Sequence, residues 1–318
     1  MVDQKQIDSQ PQYIDNPLTR AAAFLVLTVN DGDEAMAKAR SVVASTGDLI
    51  KDVRIRSLKN IFTANVGIAD RVWDGLTGGK PKPKELKPFQ EIKGSKHTAV
   101  STPGDLLYHV RADTTDLIIE FEKILLEAFG DSVTAVDDVA GFRYFDDRDL
   151  LEFVDGTANP AGLDQPFSTT IGDEDPDYTG GSYVVTQKYL HQLGDWRKQT
   201  TEDQEQVIGR TKFDNVELPD AEGDAQKSHK TLCTITDDQG VEHDILRDNM
   251  PFATPGKGEY GTYFIGYSRH LWVTEKMLER MFIGDPPGKY DRILDFSTAV
   301  TGNTFFVPSR GFLAALDD

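Results

Sequence analysis

Two stretches of the chain, "LLYHVRADTTDLIIEFEKIL" and "TYFIGYSRHLWVTEKMLERM", follow one course at an offset of roughly 155 residues. Each reads as a strand rich in Val, Ile, Tyr and Phe that leads into a helix with apolar residues at helical spacing. The likeness lies in element order more than in identity. A repeat of that length within 318 residues restricts the fold to two similar α+β units.

Around the first copy, residues 21–30 read as a buried strand and "DGDEAMAKARSVVASTGDL" as a helix that ends near Gly47. "NIFTANVGI" is strand-like, "ADRVWDGL" is a short helix, and "DSVTAVDDVAGFRYF" is extended chain. The order strand, helix, strand, strand, helix, strand is that of a ferredoxin-like unit. Around the second copy, "GGSYVVTQKYLHQLGDW" repeats the step from strand to helix. The expected fold is therefore α+β: duplicated ferredoxin-like domains, antiparallel sheets with peripheral helices, residues 1–155 in one half and 156–318 in the other. A ligand pocket is expected between the halves. Residues 77–105, with four prolines, read as a long surface loop.

Charge narrows the partners. With 34 Lys plus Arg against 53 Asp plus Glu the net charge is −19, which repels nucleic acid and anionic membranes. One cysteine, Cys233, excludes an internal disulfide and a four-thiolate cluster. The N-terminal stretch lacks a basic region joined to an apolar one, and the run "AAAFLVLTV" is too short to span a bilayer. A cytoplasmic location is expected, with no membrane partner.

Standard nucleotide, HExxH and Gly-x-Ser-x-Gly signatures are absent from the sequence. The stretch "EFVDGTANP", Glu152 to Pro160, is strong turn punctuation, since Gly accepts φ > 0 and Pro fixes φ. It leaves open whether Asp155 only forms the turn or is a working carboxylate held by it. No two of the six histidines pair at helical metal-ligand spacing, so a cofactor needing one protein ligand remains, and haem is the main example. His229 opens a stretch read as extended, and Arg247 and Asn249 follow, which alternation points to one face of a strand. Arginine plus an amide on one face can bind a small polar or anionic oxygen species. An ordinary solvated strand is the competing reading.

Taken together, "RDLLEFVDGTANP", "IGRTKFDNVEL", "KSHKTL", "ILRDNMPF", "GTYFIGYSR" and "ILDFSTAVTGNTFFVPS" resemble the dye-decolorizing peroxidases, most closely the bacterial class without a secretion signal. The resemblance runs from the first strand to the last helix. It implies haem b, iron protoporphyrin IX, held between the halves or in the C-terminal half. It also implies that H2O2 drives oxidation of dyes, phenols or other small reductants through a ferryl (Compound I) state. By that resemblance His229 is the proximal iron ligand, and Asp155, Arg247 and Asn249 are catalytic on the distal face. Asp295, in "LDFST", matches the acidic partner of the proximal histidine, and Arg210, in "GRTK", an arginine that pairs with a haem propionate. The same resemblance implies that Val154, Gly156, Thr157 and Phe264 stand beside the cofactor.

One position departs from the family pattern. The Asp-Gly motif usually begins with glycine, and this chain has Glu152 there. Gly allows φ > 0 or a close backbone approach, and glutamate allows neither cheaply. The resemblance leaves a second activity open, haem binding with iron release or haem carriage, against which the intact Asp155, Arg247 and Asn249 argue. A homo-oligomer, a dimer or larger, is expected. The end "GFLAALDD" follows directly on the last expected helix, so no tail for loading into a protein shell is expected.

Overall fold

A computed structural model describes residues 9–317. Ten strands form a single sheet: β1 (Ala21–Val29), β2 (Phe62–Ile68), β3 (Leu106–Ala112), β4 (Val133–Phe142), β5 (Ser182–His191), β6 (Leu246–Arg247), β7 (Met250–Thr254), β8 (Glu259–Ser268), β9 (Ser297–Ala299) and β10 (Asn303–Val307). Their order is β6-β8-β5-β10-β2-β3-β1-β4, with β7 also on β8 and β9 also on β5. The N-terminal half contributes β2-β3-β1-β4. The C-terminal half contributes β6 and β7, then β8, β5 and β10, which is the same order of equivalent strands. The duplication read from one strand–helix pair thus extends to the whole topology, and the fold is duplicated and ferredoxin-like.

Helices cover one face of each half: α1 (Asp33–Ala44), α2 (Thr46–Arg54), α3 (Asp70–Thr77) and α4 (Thr115–Phe129) in the first, α5 (Thr201–Ile208), α6 (His229–Cys233) and α7 (Leu271–Phe282) in the second. The single helix expected over residues 31–49 is two helices that meet at Ser45, and Gly47 lies in the first turn of α2. In α4 the buried Leu117, Ile118, Phe121, Leu125 and Phe129 make the apolar stripe that seats it on the sheet. No helix among the described residues is long and apolar enough to cross a membrane.

The expected pocket between the halves is instead a packed core. Strand β1 is buried on both faces: Ala23, Leu25 and Leu27 meet the helices, while Ala22, Phe24 and Val26 meet the inner residues of the other half. Phe24 stacks on Tyr263 at 4.2 Å and on His109 at 4.9 Å. The two half-sheets are hydrogen-bonded through one register pair, Phe306 with Ile68. At the far edge β4 approaches β7 so closely that a Cβ on Gly141 would stand 2.5 Å from Met250 Cβ. The cavities of interest lie beside this core, against β5, β8 and α7 and the loop over residues 149–155.

Polar residues on the inner face bond across the seam, although His109 Nε2 and Arg111 Nε find no hydrogen-bond partner among the described residues. His109 Nδ1 lies 2.8 Å from the Tyr267 hydroxyl, which accepts from Asn65 Nδ2. The buried Arg111 guanidinium donates to the Asp248 carboxylate at 2.6 Å and to the carbonyls of Tyr13 and Asn16. Burial holds His109 well below the usual histidine range, so it is neutral.

Candidate active site

Each wall of the cavity follows from the period of its element. Helix α7 presents Thr274, Met277, Leu278 and Met281, an i, i+3, i+4, i+7 stripe. Strands β5 and β8 present alternate residues, Tyr189 with His191 and Thr262 with Phe264. Helix α6 presents His229 and Cys233, one turn apart, and the chain through β6 presents Ile245, Arg247 and Asn249. The loop before residue 156 supplies Asp149, Leu151, Phe153, Val154 and Asp155. An adjoining outer cavity is lined by Gly156, Thr157, Arg210 and Lys230, and shares Val154, Asp155, His229 and Arg247 with the first.

Sequence alternation anticipates the common side of Arg247 and Asn249, although β6 ends at Arg247 and β7 starts only at Met250. His229 was expected in extended chain. It starts a short helix instead, because the Ser228 hydroxyl accepts from Thr231 N and caps the turn.

The Asp155 carboxylate is oriented from two sides. Its Oδ1 accepts from the Gly156 amide at 2.7 Å and its Oδ2 from Asn249 Nδ2 at 3.1 Å. Asn249 is itself held by Ile265 N–H on its Oδ1, at 3.1 Å. The neighbouring Arg247 is held through its backbone alone, since Asn159 Oδ1 accepts its N–H and Asn159 Nδ2 donates to its carbonyl. The buried Nε of Arg247 has no partner, and no ion pair occupies its guanidinium among the described residues. A half-buried cation with a buried, unpartnered donor beside an oriented carboxylate is poised for a ligand that is not protein.

Two histidines face this space and differ in what they offer. His191 is spent: Nδ1 bonds Ser297 Oγ at 2.8 Å and Nε2 bonds Thr262 Oγ1 at 2.9 Å. Burial pulls its pKa down to about 4, so it stays neutral. His229 Nδ1 bonds Asp291 Oδ2 at 2.6 Å, and Cys233 Sγ makes long contacts of 3.7 and 3.9 Å to Nδ1 and Nε2. Among the described residues that sulfur is the one partner of Nε2. Burial works against charge on this ring, but Cys233 and the Asp291 carboxylate outweigh it and raise its pKa well above the ordinary value.

That contact corrects the expected partner of His229. Asp295 instead accepts from Lys96, His97, Tyr290 and Arg292. Burial pushes its carboxyl up, yet those donors hold it far below the usual range. Asp291 is fully buried, and its other oxygen accepts from Ile293 N. Asp291 and Asp295 lie four residues apart around a 3₁₀ turn. At three residues per turn, i and i+3 eclipse and i+4 points elsewhere, so the two cannot serve one ring.

Asp149 is a further carboxyl that the sequence reading passed over. It lines the cavity, accepts from Phe153 N at 3.0 Å, and is pushed up to about 7 by burial and by the nearby Asp155 charge. Its only sequence signal is a second acid six positions before Asp155. Arg210 stands at the outer cavity and donates to Asn215 O and Glu217 Oε2. Thr157 accepts from Asn215 Nδ2, and Phe264 lines the inner wall.

Glu152 has φ +74, in the region where glycine is at home. Its amide donates to Asp149 O, its carbonyl accepts from Arg148, and its carboxylate pairs with Lys212 Nζ at 2.6 Å.

Comparison with known proteins shows the family and the fold. The family model "Dyp-type peroxidase, N-terminal" matches residues 11–143, and "Dyp-type peroxidase, C-terminal" matches residues 146–312. A dye-decolorizing peroxidase of Mycolicibacterium paratuberculosis is 53% identical over 304 residues, 96% of this chain and 85% of that one. A variant of DypB from Rhodococcus jostii RHA1, solved in complex with heme, superposes with a TM-score of 0.94 at 52% identity, covering 97% of this chain and 99% of that one. The encapsulated DyP-type peroxidase from Mycobacterium smegmatis superposes with a TM-score of 0.92 at 50% identity, over 96% and 98% of the two chains.

Proposed function

The chain belongs to the Dyp-type peroxidase family and is a haem peroxidase, and from that premise we propose that Asp155, Arg247 and Asn249 act on H2O2 while His229 holds the iron. The residues fit the group. His229 Nε2 has only a long contact to the Cys233 sulfur, the walls are largely apolar, and Arg247 carries an unpartnered buried donor. Arg210 stands at the outer cavity where a carboxylate of the cofactor would need a cation, with Val154, Gly156 and Thr157 along the same rim and Phe264 on the inner wall.

When bound, the haem iron supplies the two-electron reduction of the O–O bond and then takes electrons one at a time from a reductant. The chain's own groups handle protons and charge. Asp155 accepts the proton of the bound peroxide and returns it to the departing oxygen. The Arg247 guanidinium stabilises negative charge on that oxygen. Asn249 holds the carboxylate in place and has its own acceptor tied to the backbone. Asp291 accepts the Nδ1–H of His229, which would make the ring a stronger donor to the iron it holds.

The observation that carries this reading is the Asp155–Asn249 bond set beside an arginine with no partner of its own. The substrates are H2O2 and small electron donors, and the chain works as a cytoplasmic homo-oligomer. Asp155→Ala and Arg247→Leu should each slow the reaction of the haem-loaded protein with H2O2 about a hundredfold or more, read by stopped-flow absorbance. If both variants react as fast as the parent, the assignment fails. His229→Ala should lose haem on gel filtration, and normal retention would remove the ligand assignment.

A further inference from the structure

We propose that Asn159 is a positioning residue for the peroxide reaction, its carboxamide locking the strand that bears Arg247 to the turn that bears Asp155. The inference rests on the roles given above to those two residues. Strand β6 is the last in the sheet order and pairs with β8 on one side only, with Arg247 opposite Gly266. In an antiparallel pair the N–H and C=O of one residue point to the same side. Both groups of Arg247 point to Asn159, away from β8, where an edge strand would otherwise be open. The Asn159 amide fills that edge as one residue of a further strand would, at 3.0 Å to the N–H and 2.7 Å to the carbonyl.

The arm that carries the amide is short and stiff. Asn159 N donates to Gly156 O at 3.1 Å and closes a turn over residues 156–159. Pro160 restricts the backbone of the residue before it. Gly156 has φ +76, and a Cβ there would stand 3.2 Å from Asn159 Nδ2. Glycine at 156 therefore serves the turn and leaves room for the clamp. Three residues, 156–158, separate Asp155 from the Asn159 that grips Arg247, so the spacing of base and cation does not depend on the long path through the sheet.

Asn159→Leu keeps roughly the volume and removes both bonds. In the haem-loaded protein it should lower the rate with H2O2 by about ten- to a hundredfold, the cost of a small misplacement of reacting groups. In the haem-free protein, hydrogen exchange at the Arg247 amide should rise while protection in β5 and β8 is kept. In an Arg247→Leu background the same substitution should change the peroxide rate less than about twofold, because the group it positions is gone. An unchanged rate and unchanged exchange in Asn159→Leu overturn the proposal, and so does a full additional loss in the Arg247→Leu background. Arg247→Leu reacting as fast as the parent overturns the role of Arg247, and this proposal with it. If Asn159→Leu does not fold, Asn159→Asp keeps the acceptor and loses the donor. A slower rate with faster exchange at Arg247 is expected there, and no change in either overturns the clamp.

Discussion

Glu152 shows how much one backbone angle costs. At φ +74 an L side chain crowds the following carbonyl, at about 1–2 kcal/mol. What offsets this is local: Arg148 donates to the Glu152 carbonyl and also to the carbonyls of Lys212 and Phe213, while Lys212 pairs with the Glu152 carboxylate. The carboxylate is half exposed, so the ion pair contributes no more than about 1 kcal/mol. Glu152→Ala keeps the strained angle and loses the pair, and should be less stable than the parent by up to about 1 kcal/mol. Glu152→Gly loses the pair but relaxes the angle, and should be more stable than Glu152→Ala by about 1 kcal/mol. Urea unfolding of the haem-free variants measures both. Equal stability of the Gly and Ala variants would mean that the angle carries no strain. At this scale the turn at Asp155 was legible in its Asp-Gly motif, while the role proposed for its carboxylate came from the family resemblance and not from the local pattern. Asp149 was not, because its altered acidity comes from burial that no local pattern records.

Among the elements, the short ones escaped the sequence. Helix α7 and strands β5 and β8 are long enough for their period to show which residues face one way, and those residues do line the cavity. Helix α6 has five residues, less than two turns, so no apolar period announces it and His229 was read as extended. Its signal was the cap, Ser228 three positions before Thr231. The 3₁₀ turn that carries Asp291 and Asp295 posed the same difficulty. Two acids four apart look interchangeable in "KYDRILDF", and only the direction of the turn separates them. Asp291→Ala should speed transfer of haem from the loaded protein to apomyoglobin by about ten- to a hundredfold, as loss of a ligand's carboxylate partner does. Asp295→Ala should leave transfer within about twofold of the parent, its contacts being to Lys96, His97, Tyr290 and Arg292. The reverse ranking would return the role to Asp295.

For the whole molecule, what remained hidden was how the two halves meet. In "LLYHVRA" the alternate residues His109 and Arg111 look like a solvent face, yet both are buried against partners more than a hundred residues away. Periodicity shows that such residues share a face and cannot show what covers it. The covering pair is also placed for function, because Asp248 lies between Arg247 and Asn249 and points to the opposite side, into the seam. Burial raises the pKa of Asp248, Arg111 opposes that, and Asp155 adds to it. Arg111→Met leaves Asp248 buried without its cation and should cost about 3–5 kcal/mol near neutral pH. Its folded pKa then lies further above the unfolded value of about 3.9, so beyond a constant loss from the Tyr13 and Asn16 carbonyls the penalty should grow as pH rises above that value. Adding Asp248→Leu removes the stranded carboxylate, and the double variant should recover most of the loss and show little of that pH dependence. Urea titrations of the haem-free proteins at pH 4.5 and 7.5 decide the matter. A loss in Arg111→Met that is equal at both pH values would show that the seam is held by packing around Phe24, Tyr263 and Tyr267, and that the buried pair contributes no charge-dependent stability.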